Sequence, residues 1–158
     1  MAQGITDGMS LREQILQAFQ MEEKDLRTYS PLNLAFLGDA VYSVVIRTIA
    51  LTKGNRQIEK LHREASALCS AVTQAAIGEA IYEDLTEEEK QVFRRGHNSH
   101  PSHHAKHATM EEYLEATALE TLLGYLFLKD ETERIVSLLQ KGLQTQEEGD
   151  RLGESEPH

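Results

Sequence analysis

Leu32-Asn33-Leu34-Ala35-Phe36-Leu37-Gly38-Asp39-Ala40-Val41-Tyr42 is the stretch on which the reading of this chain turns. It is an almost unbroken apolar run, too rich in Leu, Ala and Val for a solvated helix face, and it carries one aspartate into or beside a core. Ser30 is a helix-capping residue, and Pro31 suits the first helical position, where a missing N–H costs nothing. A long helix is therefore predicted from there to about Lys53, with Gly54 as its stop. A second run of the same kind, Ala116-Thr117-Ala118-Leu119-Glu120-Thr121-Leu122-Leu123-Gly124-Tyr125-Leu126-Phe127-Leu128, carries Glu120. A carboxylate in apolar surroundings is costly unless it is paired, hydrogen-bonded or bound to a metal.

Outward from these runs every strong periodic signal is helical, and no segment alternates as a strand does, so the fold class is all-α. Ser10 with Glu13, Thr86 with Glu89 and Thr109 with Glu112 each fit the capping-box pattern of a helix start. The first opens a short helix with Leu11, Ile15, Leu16 and Phe19 on one face. The second opens a helix ending near Arg94-Arg95-Gly96, and the third opens the helix of Glu120. Between them Ile58, Leu61, Ala65, Leu68, Cys69, Val72, Ala76, Ala80 and Ile81 recur at steps of three and four, which predicts one segment that bends without needing to break. Asp130 is expected to cap a last helix with Ile135, Leu138 and Leu139 inward. The organisation that follows is an N-terminal helix and connector over 1–29, one helical domain over 30–143, and an acidic tail over 144–158 with no fold of its own.

A chain of 158 residues fits one hydrophobic core. A hydrophobic content of 40% excludes a wholly disordered chain. No stretch reaches the ~18 uninterrupted apolar residues of a membrane span. Met1 to Ser10 is polar and lacks the regions of a secretory signal. Cys69, the one cysteine, excludes an internal disulfide and a cysteine-based zinc site and reads as core filler. These features together predict a cytoplasmic protein. The net charge of −10 speaks against nucleic acid as a partner, but it is concentrated: Glu147 to His158 holds five acids and one arginine.

Two glycines attend the two acids. Gly38 precedes Asp39, and Gly124 lies one turn beyond Glu120. Glycine inside a helix costs about 0.5–1 kcal/mol relative to alanine, and close backbone approach is the usual reason to bear it. If the two helices cross at these glycines, Asp39 and Glu120 face each other across a gap that one hard cation, Mg2+ or Mn2+, can span. The competing account makes both acids structural, salt-bridged to Arg47, Arg63 or Arg95. Spacing alone leaves both open.

The run from Leu34 to Tyr42 resembles the signature helix of ribonuclease III domains, E-x-L-E-F-L-G-D-A, and the run around Glu120 resembles their other catalytic helix. Leu61-His62-Arg63, Ser70-Ala71, Gln74-Ala75 and Arg94-Arg95-Gly96-His97-Asn98 are similar to the pattern of Mini-III ribonucleases, which lack a separate double-stranded RNA-binding domain. The likeness covers about residues 30–143. Full-length ribonuclease III carries further acids where this chain has Leu32, Ala35 and Thr117, losses that Mini-III enzymes share. His97 stands where they usually have arginine.

The resemblance implies a homodimeric, magnesium-dependent endoribonuclease that cuts both strands of double-stranded RNA, typically a stem of precursor 23S ribosomal RNA, leaving 5′-phosphate and 3′-hydroxyl ends. On it Asp39 and Glu120 are the catalytic residues and hold the metal, Thr117 bonds a water on that metal, and Phe36 and Leu37 contact the second subunit. A duplex reader without sequence preference needs scattered donors and positive charge, for which Arg56, Lys60, Arg63, Arg94, Arg95, Asn98 and Lys106 are candidates. Arg94 and Arg95, at a helix end, are expected to point outward together. Five histidines, His97, His100, His103, His104 and His107, crowd one loop that reads as plain polar, as an RNA contact or as a metal site. His62 is expected to be partly buried and hydrogen-bonded. A second function class fits the same residues: a silent relative that binds structured RNA or a ribosomal protein.

Overall fold

In a computed structural model that describes residues 8–99 and 107–154, the described residues form helices, turns and loops only. The helices are α1 (Leu11–Ala18), α2 (Pro31–Thr52), α3 (Ile58–Leu68), α4 (Ala71–Ile81), α5 (Glu87–His97), α6 (Met110–Leu128) and α7 (Thr132–Glu154), with short 3-10 turns at Leu26–Thr28 and Tyr82–Asp84. α6 is the axis. It is buried from Ala116 to Leu126 at every position but Glu120, because α2, α4, α5 and α7 all lie against it. A helix apolar on every side has no solvent face to present, and only a central position satisfies it.

α2 gives the core one face: Leu34, Tyr42, Ile46 and Ala50 are buried, while Phe36 and Val44 lie outside. By length and composition α2 is apolar enough to cross a membrane, and a third of that apolar stretch is buried here, chiefly against α6. Its start is as the sequence predicts, with Ser30 accepting from the Asn33 N–H and Pro31 in the first turn. Gly54, at φ +137°, follows its end. The capping boxes at Thr86 and Thr109 are both complete.

Several expectations are corrected. The segment from Ile58 to Ile81 breaks in two, because Ser70 accepts from the Thr73 N–H and caps a new helix at Ala71. α5 ends at His97, near Arg94-Arg95-Gly96 as the sequence predicts, but Gly96 is not there as a stop. That glycine is buried, and a Cβ there would stand 2.6 Å from the Thr121 hydroxyl oxygen on α6, so it is a packing position. Asp130 does not cap α7. It takes φ +63° just past α6, where its N–H reaches the Phe127 carbonyl while that of Glu131 reaches Leu126, the paired bonds of a Schellman ending. At Ser10 only half a capping box forms, since Ser10 accepts from the Glu13 N–H but the Glu13 carboxyl turns toward Asp130. Leu11, Ile15 and Phe19 of α1 are exposed and not part of the core. The tail does not lack structure throughout, because α7 runs on to Glu154, through Gln, Glu and Leu that favour helix. Cys69 packs half-buried against the core, as expected of filler.

Candidate active site

α2 and α6 cross with their backbones in contact. A Cβ built on Gly38 would lie 1.7 Å from the Glu120 carbonyl oxygen, and one on Gly124 would lie 2.0 Å from that of Leu34. Only glycine fits at either place. This contact brings Asp39, next to Gly38, against Glu120, one turn before Gly124, so that the two carboxyl groups hydrogen-bond to each other.

The two acids differ in setting. Asp39 is exposed, whereas Glu120 is partly buried, so only one of them reaches toward the core as expected. Burial first, and then the hydrogen bond and charge of Asp39, push the Glu120 carboxyl up to about 9. Among the described residues neither acid forms an ion pair with a lysine or arginine, which removes Arg47, Arg63 and Arg95 as direct salt-bridge partners. The alternative in which both acids are structural ion pairs therefore fails. What remains is two oxygen donors that repel one another unless a proton or a cation lies between them. A divalent ion with a preference for oxygen suits such a pair.

The turn between α3 and α4 closes one side. The buried Tyr42 hydroxyl donates to the Leu68 carbonyl at 2.5 Å. The Cys69 thiol is held up by burial and then by the Asp39 charge, with Arg47 acting the other way. Arg47 is a residue that sequence reading considered only as a structural partner. It is exposed and lies close enough to the pair to be felt at Cys69. Its place two turns beyond Asp39 on α2 is the signal that was available. Thr117 is buried, and its hydroxyl donates to the Tyr113 carbonyl at 2.9 Å. That commits its one proton and leaves its lone pairs to accept from water.

The candidate RNA residues separate into groups. Arg95 and Asn98 are exposed and line a surface hollow with Ser30, Pro31 and Leu32. Leu32 lies seven residues before Asp39 and hence on the same face of α2, about 10 Å along its axis. Arg94 does not point with Arg95. It lines a different cavity, with Glu79, Tyr82, His97, Glu111 and Glu115, because consecutive helical residues diverge by roughly 100°. Lys60 and Arg63 are exposed on α3. Arg56 is spent inside the molecule, donating to Glu64 at 2.5 Å and to the Ala50 carbonyl at 2.8 Å, so its assignment to RNA is withdrawn. Lys106 lies outside the described residues, as do His100, His103 and His104. His97 belongs to the last turn of α5 and not to the loop. His62 is exposed rather than partly buried. Phe36 is 84% exposed on the outer face of α2, and Leu37 is partly exposed.

Comparison with known proteins gives the family. Residues 32–131 match the model of the ribonuclease III domain. A Mini-ribonuclease 3 from Thermoanaerobacter sp. (strain X514) is 40% identical over 128 residues, which is 81% of this chain and 90% of the relative. One from Clostridium tetani is 36% identical over 140 residues, 88% of this chain and 92% of the relative. A crystal structure of a Fusobacterium nucleatum protein, 38% identical, superposes with a TM-score of 0.69 over 74% of this chain and 95% of its own.

Proposed function

Because the chain belongs to the ribonuclease III family, as an endoribonuclease of its Mini-ribonuclease 3 branch acting on double-stranded RNA, we propose that Asp39 and Glu120 are its catalytic residues and hold Mg2+ or Mn2+. The observation that carries this reading is the carboxyl pair at the glycine crossing, where neither acid is ion-paired to a described lysine or arginine. A divalent ion bound there supplies positive charge to the scissile phosphate and lowers the pKa of water.

The chain's own groups supply the rest. Glu120 gives up the proton it shares with Asp39 when the ion binds. Asp39, exposed, forms the open side that faces the phosphate. Arg95 and Asn98, in the hollow at the start of α2, contact the backbone of the duplex about 10 Å along that helix from Asp39. Arg47 adds charge near the pair, Lys60 and Arg63 extend the positive surface, and Thr117 would accept from a water on a bound ion. Phe36 and Leu37, on the outer face of α2, meet a second copy of the chain, which gives the two sites needed to cut both strands. The substrate is a stem of precursor 23S ribosomal RNA, cut in the cytoplasm to leave 5′ phosphates and 3′ hydroxyls.

The test maps the 5′ ends that the wild type and Glu120→Gln produce on total RNA, beside cleavage of a long duplex with and without magnesium. Wild-type cleavage in both Asp39→Asn and Glu120→Gln removes the site. Cuts elsewhere than in precursor 23S RNA remove the substrate but leave the site.

A further inference from the structure

A second cluster of metal-ligating side chains lies on the other side of α6. His97, at the end of α5, sets its Nε2 at 2.7 Å from Glu111 Oε1 and 3.8 Å from Glu115 Oε1. One ligand atom from each of the three residues falls within 4.8 Å of the others. The elements that carry them are fixed independently. Glu111 and Glu115, four apart, share one face of α6, whose start is set by the capping box at Thr109. The end of α5 is pinned where Gly96 meets Thr121. The remaining ring nitrogen of His97 faces Asn98 Oδ1 at 3.5 Å, which turns Nε2 toward the two carboxylates.

The setting suits a cation. The three residues line a cavity of about 420 Å³ together with Glu79, Glu83 and a single arginine, Arg94. Four carboxylates thus face one guanidinium. Glu115 is partly buried, and burial together with the neighbouring Glu111 and Glu79 raises its carboxyl above the usual range. The site is distinct from the Asp39–Glu120 pair: five residues separate Glu115 from Glu120, about 140° around the helix, and Glu111 lies on the opposite face.

We propose that His97, Glu111 and Glu115 bind one zinc ion. One imidazole nitrogen with two carboxylates selects a transition metal over magnesium, which prefers oxygen alone, and three protein ligands leave a fourth tetrahedral position for water. The ion ties the end of α5 to the first turns of α6, at the base of the connection between them. It is a staple across that connection and takes no part in cutting RNA.

The full-length protein, stripped by chelator and dialysed, is titrated with zinc in excess magnesium, which occupies oxygen-only sites. One equivalent is expected to bind and to raise the melting temperature. Affinity is expected to fall at least tenfold in His97→Ala and Glu115→Gln, and to persist in a variant with His100, His103, His104 and His107 all changed to Asn. Glu111→Gln, at an exposed position, serves if either of the first two fails to fold. Cobalt in place of zinc should give visible absorption that the same variants lose. The proposal is overturned if no stoichiometric zinc binds, if the four-histidine variant loses it while His97→Ala keeps it, or if Asp39→Asn removes it.

Discussion

The carbonyl oxygen of Glu120 occupies the space where a side chain on Gly38 would begin, 1.7 Å from the Cβ position. The peptide unit that seats α6 against α2 is thus the one that carries a carboxylate of the site, and packing and chemistry share a single contact. Gly38→Ala must push two backbones apart, since no flexible side chain can yield. Overpacking of a core costs about 1–3 kcal/mol or more, and this position belongs at the upper end. Gly149→Ala is the control: it lies in α7 with nothing within 4 Å and should gain up to about 1 kcal/mol. Urea unfolding with a cleavage assay should show Gly38→Ala losing stability and activity together. Stability within about 0.5 kcal/mol of wild type, the scatter of an ordinary surface change, would mean that the helices do not meet so closely.

Glu120 makes stability depend on pH in a definite direction. Its folded carboxyl sits near 9, raised by burial and by Asp39 above an unfolded value of 4.5. Between those values the folded state holds a proton that the unfolded state has lost, so the contribution is fully present below about pH 4.5 and is lost as pH rises toward 9. Metal-free protein should therefore melt progressively lower from pH 6 to 9. Glu120→Gln should flatten that slope. Magnesium should raise the melting temperature more at pH 8.5 than at pH 6.5, because it replaces the shared proton. A metal-free melting temperature that climbs with pH, and does so equally in the variant, would contradict the assignment.

The ion pair between α5 and α7 offers a prediction remote from the site. Arg134 grips the buried Glu89 with two bonds, 2.9 Å and 2.8 Å, and also donates to the Asp84 carbonyl at 2.7 Å. Glu89 at the same time completes the capping box of α5. Its carboxyl is lowered chiefly by Arg134. Hydrogen bonds to charged groups contribute about 1.5–3 kcal/mol, and loss of one member strands the other. Arg134→Ala should cost roughly 2–3 kcal/mol in denaturant unfolding, with cleavage at low temperature unchanged. A loss under 0.5 kcal/mol would mark the pair as a surface contact.

Much of this was legible in the chain, for reasons that differ by residue. The all-helical class and the glycine crossing were readable because glycine within an apolar helix has few causes other than close approach. Helix ends marked by a side chain with one job, such as Thr86 and Thr109, were also readable. The break at Ser70 was not, because apolar spacing continues through it and only the cap betrays it. Asp130 misled because an aspartate after one helix and before another fits both a cap and a left-handed ending. Arg56 looked like any other exposed cation, since nothing local reveals that Glu64 and the end of α2 claim it. The cluster of His97 with Glu111 and Glu115 depends on how α5 packs on α6, and spacing along the chain carries no trace of that.

Arg56 and Arg95 provide the sharpest contrast, since both are arginines proposed for RNA and only one is free to meet it. Arg56 is half-buried and bonded to Glu64 and to the carbonyl of Ala50 at the end of α2. Arg95 is exposed, with one bond to the Tyr29 carbonyl at 3.2 Å. Arg56→Ala should lower stability by about 1–2 kcal/mol, the worth of its charged hydrogen bonds less what water restores, and leave duplex affinity unchanged in the folded protein. Arg95→Ala should leave stability within about 0.5 kcal/mol, weaken binding to every duplex sequence alike, and reduce the slope of log affinity against log salt by about one for the lost phosphate contact. Binding measured over a range of salt with Asp39→Asn protein, so that substrate stays intact, separates the two. An Arg95→Ala protein with the wild-type slope would move the RNA path away from the hollow beside Leu32 and toward Lys60 and Arg63 on α3.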